Sequence, residues 1–195
     1  MMNIFFLIAA ITITIGVVGC KGMAQNTEKK TVQNDANTIE TTTQSAAQPQ
    51  QPEMLVGKID RQQLEKGEFA KWFESGYDAY EVKGDKDMIS NLLKGVDITI
   101  FMGTWCPDSR REVPNFYKIM DAVNGSSDIK LIAVTRAKTT PEGLENGKDI
   151  QRVPTFIFAK NGKELGRIVE YPIESLEKDM IKILKGEDYK HAYAE

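Results

Sequence analysis

Residues 101–114 read FMGTWCPDSRREVP, an apolar strand end followed by a cysteine and the start of an amphipathic helix. A sulfur at such a junction faces unpaired backbone N–H groups and the positive end of the helix dipole, and both favour the reactive thiolate. Arg110 and Arg111 would add positive charge if their side chains turned towards Cys106. The stretch therefore predicts a reactive cysteine, and a buried inert thiol is the alternative interpretation.

This stretch resembles the active site of the thioredoxin family. Trp105, Cys106 and Pro107 stand in the order that thioredoxins show after a hydrophobic strand. Pro114 falls where the family carries the proline that kinks its active-site helix. The resemblance implies that Cys106 is the nucleophile. It also favours Trp105 as a platform for client proteins, and a simple packing residue is the alternative.

Val153 and Pro154 resemble the cis-proline segment of the same family, which lies beside the nucleophilic sulfur. The resemblance covers about residues 80–184 and implies the α/β class: a thioredoxin-like fold whose central mixed sheet is flanked by helices. A cis bond would expose the Val153 backbone for pairing with an extended client, whereas a trans bond would make Pro154 an ordinary loop proline. The expected substrate-binding residues are Trp105, Pro107, Val153 and Pro154.

The chain departs from the family pattern at two positions. Ser109 stands where a thioredoxin has its resolving cysteine, so no disulfide can form within the motif. Ile100 stands where the family places a buried carboxylic acid thought to help deprotonate that cysteine. The resemblance thus implies a monothiol site with Cys106 and Ser109 as the catalytic candidates. The Ser109 hydroxyl could donate to the thiolate or cap backbone groups, and whether such a site works as an enzyme stays open.

The composition excludes several classes of function. The 195 residues carry a net charge of −3, and a chain without basic excess is not expected to bind nucleic acid. Two cysteines and one histidine are too few for a conventional structural zinc site, which needs four such ligands. We therefore expect neither a metal nor another cofactor.

The beginning of the chain has the pattern of a lipoprotein signal peptide over residues 1–19. Residues 4–18 are an apolar run shorter than the roughly 20 residues of a membrane span. The four residues that end at Cys20, VVGC, resemble the bacterial lipobox, whose cysteine is acylated after cleavage. A plain signal anchor is the alternative. The resemblance implies a lipid anchor at Cys20 in the bacterial cell envelope, facing the periplasm, and Lys21 favours the outer over the inner membrane.

A polar segment follows this anchor. Residues 20–52 are rich in Gln, Asn, Thr, Ser and Ala and have almost nothing to bury, so they cannot offset the entropy cost of their own ordering. They are expected to form a disordered tether with a mean reach of roughly 30 Å. The remaining residues, 53–195, are expected to form the thioredoxin-like domain, with its core at about 80–184.

Residues 61–74 have the pattern of a helix that precedes the part resembling thioredoxin. Asp60 can cap this helix, and Gly76 is expected to end it. We interpret the helix as an N-terminal extension that packs on the core. Aromatic side chains at helical spacing, such as Trp72 and Phe73, are usually buried, and a client-binding patch is the alternative.

Hydrophobic periodicity and turn residues predict the remaining elements. Met88 and Ile173 are among the side chains expected to be buried, and the expected buried stripe of the active-site helix is Val113, Phe116, Ile119, Met120 and Val123. Asp85 is expected to cap the helix that follows it, and Asn161 with Gly162 predicts a hairpin turn. The predicted order is a first strand at 80–82, a helix at 85–93, a strand at 98–102, the active-site helix at 107–123, a strand at 129–134, a loop at 136–151, two hairpin strands at 155–158 and 164–169, and a last helix at 172–184.

Two functions from different classes fit these residues. In the first, Cys106 attacks the disulfide of an envelope protein and forms a mixed disulfide that a second thiol must resolve, as in a thiol-disulfide oxidoreductase or isomerase. In the second, the domain is a non-catalytic client-binding module. The expected partners are disulfide- or thiol-containing envelope proteins and the lipid membrane. A peroxide-reactive cysteine fits less well, because Trp105 and Pro107 do not resemble the peroxiredoxin pattern.

Overall fold

The computed structural model describes residues 54–125 and 127–194. This part of the chain contains five strands and five helices. In chain order they are β1 (Gly57–Ile59), α1 (Arg61–Leu64), α2 (Gly67–Ala79), α3 (Lys86–Leu92), β2 (Val96–Met102), α4 (Pro107–Ala122), β3 (Ile129–Ala133), β4 (Thr155–Lys160), β5 (Lys163–Val169) and α5 (Leu176–Lys185).

The strands form one mixed sheet in the order β1-β3-β2-β4-β5. β2 and β3 run parallel, and the other three neighbouring pairs are antiparallel. A parallel pair needs a crossover connection, which α4 supplies between β2 and β3. Because of this crossover, α4 begins at the carboxyl end of the central strand, directly after Cys106. The predicted α/β class, with a mixed sheet flanked by helices, is confirmed.

Most of the hydrophobic core packs on one face of this sheet. Side chains alternate along a strand, so every second residue of β2 points into this core. Buried side chains from all five helices join the same cluster, among them Leu64, Phe73, Ile89, Phe116 and Met180. A smaller cluster holds Cys106 and packs on the intervening residues of the strands, including Phe101, Ile132 and Ile157.

Phe116 anchors α4 in the main core. Its ring centroid lies 4.9 Å from that of Phe156 and 6.3 Å from that of Phe158, both on β4. All three side chains are fully buried. The predicted buried stripe of α4 is confirmed at every position: Val113, Phe116, Ile119, Met120 and Val123. This stripe holds the helix that begins beside Cys106.

The prediction is wrong for the first strand and the first helix. The first strand is β1, which pairs antiparallel with β3, whereas residues 80–82 belong to no strand. The helix predicted at 61–74 is divided into α1 and α2, and Gly67, the first residue of α2, has φ of +58°, a conformation that glycine adopts readily. The residues just before the helix interpreted as an extension therefore supply an edge strand of the sheet.

Gly76 does not end α2, which continues to Ala79. An added Cβ at Gly76 would lie 3.1 Å from Cβ of Pro114, so the missing side chain allows α2 to pack closely on α4. The predicted cap of α1 is confirmed, because the Asp60 carboxylate accepts a hydrogen bond from Gln63 N at 3.0 Å. The aromatic residues of α2 pack on the core, as expected, with Phe73 buried and Trp72 partly buried.

Later elements agree with the prediction, except for two side chains and one helix start. Met88 is exposed, whereas Ile89 and Leu93 form the side of α3 that packs on the core. α5 begins only after Ser175, whose hydroxyl caps it, and not at residue 172. Ile173 therefore lies outside the helix and is 51% exposed. The hairpin through Asn161 and Gly162 is confirmed, and both residues have positive φ, as such a turn requires.

The expected signal peptide at 1–19, the expected tether at 20–52 and Cys20 lie outside the described residues. In the part of the chain that the structure describes, no helix has the length and apolar character needed to cross a membrane.

Candidate functional site

Cys106 is the N-cap residue of α4. Its backbone is extended, and its carbonyl oxygen accepts the first helical hydrogen bond from Arg110 N at 3.0 Å. The sulfur accepts no capping hydrogen bond, although Cys106 stands at the end of the helix where the first backbone N–H groups have no partner within the helix. Pro107 is the first helical residue, where its missing N–H has no cost. The sequence predicts this position of the cysteine correctly.

The sulfur of Cys106 also contacts a segment that is distant in sequence. Its thiol donates a hydrogen bond to the carbonyl oxygen of Val153, with 3.1 Å between Sγ and the oxygen. The Val153–Pro154 peptide bond is cis. Pro154 in turn accepts a hydrogen bond from Glu170 N at 2.7 Å, which ties the segment to the end of β5. Cys106 is only 6% exposed, so the loop before β4 covers much of the sulfur.

Ser109 lies in the first turn of α4 and is fully buried. Its hydroxyl oxygen accepts a hydrogen bond from Gly103 N at 3.1 Å. The sequence allows two roles for this hydroxyl, donation to the thiolate or capping of backbone groups. The contact with Gly103 corresponds to the second role. Within the described residues, no hydrogen bond joins Ser109 to Cys106. Ser109 thus connects the start of α4 to Gly103, the residue directly after β2.

Trp105 is held beside Cys106 by three contacts. Its indole Nε1 donates a hydrogen bond to the carbonyl oxygen of Val134 at 2.9 Å. Its ring covers Gly103, where an added Cβ would come within 2.6 Å of the indole. The guanidinium carbon of Arg136 lies 5.0 Å from the ring centroid. Trp105 is partly exposed and packs against the cluster that contains Cys106, so it offers a fixed aromatic surface at the site.

The two arginines of the motif do not turn towards the sulfur. Arg110 donates a hydrogen bond from Nε to the carbonyl oxygen of Thr104 at 2.6 Å. Arg111 forms ion pairs with Asp108 and Glu112, at 2.8 Å and 2.7 Å. Burial raises the pKa of the Glu112 carboxyl, and the hydrogen bond from Arg111 partly opposes this effect. The two guanidinium groups thus bind Thr104, Asp108 and Glu112 instead of the Cys106 sulfur.

Two other arginines, missed by the sequence analysis, lie near the site. Arg136 covers Trp105, and Arg152 directly precedes Val153 in the chain. The guanidinium of Arg152 lies 3.9 Å from the ring centroid of Tyr193, and its side chain is 47% exposed. Their positions in the sequence could have indicated this. Arg136 follows the strand predicted to run parallel to β2, and Arg152 adjoins the predicted proline segment.

The structure brings the six predicted site residues that it describes to the junction of β2, α4 and the loop before β4: Trp105, Cys106, Pro107, Ser109, Val153 and Pro154. Within the described residues, Cys106 is the one free cysteine. A lone thiol at a helix N-terminus can exchange with the disulfide of another molecule, although it cannot close a disulfide with a neighbour.

Comparisons with known proteins agree with this geometry. A family model described as thioredoxin matches residues 60–185. The thioredoxin of Staphylococcus epidermidis is 27% identical over 93 residues, which cover 47% of this chain and 86% of that protein. A thioredoxin-like protein of Acanthamoeba polyphaga mimivirus is 32% identical over 92 residues, covering 46% of this chain and 63% of its own length.

The chain therefore spans less than two thirds of the viral relative. Among solved structures, the oxidised mitochondrial thioredoxin 3 of Saccharomyces cerevisiae matches with a TM-score of 0.30 and 21% identity, over 48% of this chain and 86% of that one. The family model covers well over half of the chain, and it includes the strand, the cysteine, the helix and the proline segment of the site. This chain belongs to the thioredoxin family.

Proposed function

We propose that the protein is a membrane-tethered monothiol thioredoxin that forms mixed disulfides with client proteins of the cell envelope. Thiol-disulfide exchange of the oxidoreductase or isomerase kind is the reaction that the site supports best. One observation carries the proposal: the single thiol of Cys106 lies at the start of α4 and 3.1 Å from the Val153 carbonyl oxygen, with Ser109 where a second thiol would stand. Trp105 and the Val153–Pro154 backbone lie beside this sulfur as a docking surface for an extended client.

The exchange conserves electrons at each step. Cys106 gives up its hydrogen bond to Val153 and loses its proton to solvent, and the thiolate attacks one sulfur of the client disulfide. A bond forms between these two sulfurs while the client disulfide breaks, and the second client sulfur leaves as a thiolate that takes up a proton. Another thiol, from the client or from solution, then attacks the mixed disulfide and releases Cys106.

A second candidate is a binding module without covalent chemistry. Its support is the low exposure of Cys106, at 6%, together with the hydrogen bond from the thiol to Val153. Both features restrict attack by the sulfur on another molecule. In this case the domain would bind clients at Trp105 and the proline segment, and Cys106 would serve packing.

Trapping in cells tests the choice between these functions. Cells that express the full chain are quenched with acid and alkylated, and the protein is followed on non-reducing gels. We expect high-mass adducts that disappear with reductant and are absent from Cys106→Ser. The adducts should persist because Ser109 cannot attack sulfur, so the mixed disulfide lasts until an outside thiol reaches it.

A matched control places an ordinary thiol elsewhere. Ser75 is exposed on α2, and Ser75→Cys in the Cys106→Ser background should not restore the adducts, because its sulfur lacks the helix N-terminus and the docking surface. Wild-type protein without adducts, together with alkylation of Cys106 by iodoacetamide no faster than that of a model thiol at neutral pH, would favour the binding module instead.

The tether is proposed from the signal sequence and Cys20, by resemblance to bacterial lipoproteins. Acylated protein should enter the detergent phase in a phase-partition experiment, since acyl chains are strongly apolar. Cys20→Ala should remain an unprocessed precursor or move to the aqueous phase, while Cys106→Ser should partition like the wild type. A Cys20→Ala protein that is processed to the mature length and still enters the detergent phase like the wild type would exclude the lipid anchor.

A further inference from the structure

The loop after β3 places an uncompensated positive charge at the site. Arg136 is exposed, and its guanidinium carbon lies 5.0 Å from the ring centroid of Trp105. Stacking on an aromatic face orients an arginine without using its N–H donors. Among the described residues, Arg136 forms no ion pair. Its donors and its charge are therefore available to a molecule that binds on Trp105.

A second arginine is held in the same way but is partly neutralised. The guanidinium of Arg152 lies 3.9 Å from the ring centroid of Tyr193 and 3.5 Å from a carboxylate oxygen of Glu170. Arg152 directly precedes Val153, whose carbonyl oxygen contacts the reactive sulfur. The site thus has one free guanidinium on Trp105 and one partly paired guanidinium next to the proline segment.

The first turns of α4 do not cancel this charge. Residues 108–112 contain two carboxylates and two arginines, which sum to zero. Both carboxylates, Asp108 and Glu112, already pair with Arg111. Arg152 and Glu170 also balance each other. Among the described residues, Arg136, unlike Arg111 and Arg152, has no carboxylate partner.

We propose that this site selects clients that carry an acidic side chain next to the disulfide, and that Arg136 stacked on Trp105 recognises the carboxylate. The inference rests on the proposed function and adds a substrate class to it. A guanidinium is planar and presents paired N–H donors that match a carboxylate. A client segment that lies along Val153 brings the residues next to its reacting cysteine close to Trp105. The Arg136 guanidinium lies over this tryptophan and can bind an acidic side chain there. Arg152 contributes less, because Glu170 competes for it.

The test uses the full chain in detergent and three synthetic peptides. Each peptide is a symmetric disulfide dimer with one cysteine per strand, flanked by Glu, by Gln or by Lys. Attack by Cys106 joins one strand to the protein and releases the other strand as a free thiol. Mass spectrometry follows the adduct over time, and the rate with the Glu peptide is divided by the rate with the Gln peptide. Comparing this ratio between variants cancels the intrinsic reactivity of each peptide.

We expect the wild type to favour the Glu peptide over the Gln peptide and to disfavour the Lys peptide. Arg136→Gln should lower the Glu/Gln ratio by about two- to fivefold, the range for one exposed ion pair. Arg136→Lys should retain a preference, and Arg152→Gln should have a smaller effect than Arg136→Gln. About 0.5 M salt should weaken the preference, because it screens exposed charges.

Lys163→Gln is the matched control for the loss of one positive charge. Lys163 pairs with Lys160 at one end of the β4–β5 hairpin, whereas Thr155 pairs with Val169 at the end near the site. This control should leave the ratio unchanged. A ratio that is equal in the wild type and Arg136→Gln, with adducts forming normally, would overturn the charge preference and leave the proposed function standing. If no peptide reacts with Cys106, although all three react with a free thiol, the proposed function itself fails.

Discussion

Ser109→Cys should give the protein a disulfide-reductase activity with multiple turnovers, which the proposed monothiol mechanism does not allow for the unmodified chain. Ser109 lies one turn after Cys106 in α4, so a cysteine there can attack the mixed disulfide and release the client as a thiol. The variant is expected to remain roughly 10²-fold or more below a dithiol thioredoxin, because general acid-base groups contribute about 10²–10⁴-fold and Ile100 supplies none. The assay uses a protein disulfide as substrate and a reductase that requires a dithiol partner, and it follows consumption of the reductant.

Two further variants separate the new thiol from other effects. Ser109→Ala also loses the hydrogen bond to Gly103 but gains no thiol, so it should show no turnover. The double variant Cys106→Ser with Ser109→Cys should also be inactive, because Ser109 is fully buried and a thiol there cannot reach the client first. Robust turnover by the unmodified protein in this assay would show that a second thiol is not needed, against the mechanism proposed above.

Phe116→Ala should lower the free energy of unfolding by about 3–5 kcal/mol, the typical cost of removing a large buried aromatic side chain. The ring of Phe116 packs between α4 and the two phenylalanines of β4, and the surrounding side chains cannot fill the cavity completely. Since natural domains are stable by about 5–15 kcal/mol, this loss should unfold a measurable fraction of the protein. Urea denaturation followed by circular dichroism measures the change.

A series at the same position tests the cause. Phe116→Leu keeps most of the buried volume and should cost clearly less than Phe116→Ala. Tyr171→Ala removes an aromatic ring that is 42% exposed and should cost little by comparison. A loss below about 1 kcal/mol for Phe116→Ala would contradict the packing of α4 described here.

Local patterns in the sequence were sufficient to predict much of this fold and site. The apolar stripe of α4, the cap at Asp85 and the hairpin turn at Asn161 depend on neighbours within a few residues, and all three are confirmed. The placement of Cys106 at the start of α4 is equally local, because it follows from a strand that ends and a helix that begins. Ser109 in place of a second cysteine is visible in the sequence alone.

Contacts between distant segments decided what the local pattern could not. β1 is only three residues long and becomes a strand by pairing with β3, so its own sequence carries too little signal. Gly76 suggested a helix end, yet it lies within α2 because its missing side chain allows close packing against Pro114. In both cases a segment distant in sequence, β3 for β1 and Pro114 for Gly76, makes the contact that stabilises the local conformation.

The sequence by itself determined which cysteine sulfur is the candidate nucleophile, that of Cys106, and that no second thiol stands beside it in the motif. Only the tertiary structure decided where the charges around that sulfur lie. Arg110 and Arg111 are near Cys106 in sequence, but hydrogen bonds to Thr104, Asp108 and Glu112 direct them elsewhere. Arg136 comes close to the site because β3 runs parallel to β2 and ends beside it. A long side chain can reach several partners, and the fold decides which of them lie nearby. The direction of such a side chain therefore cannot be predicted from its position in the sequence.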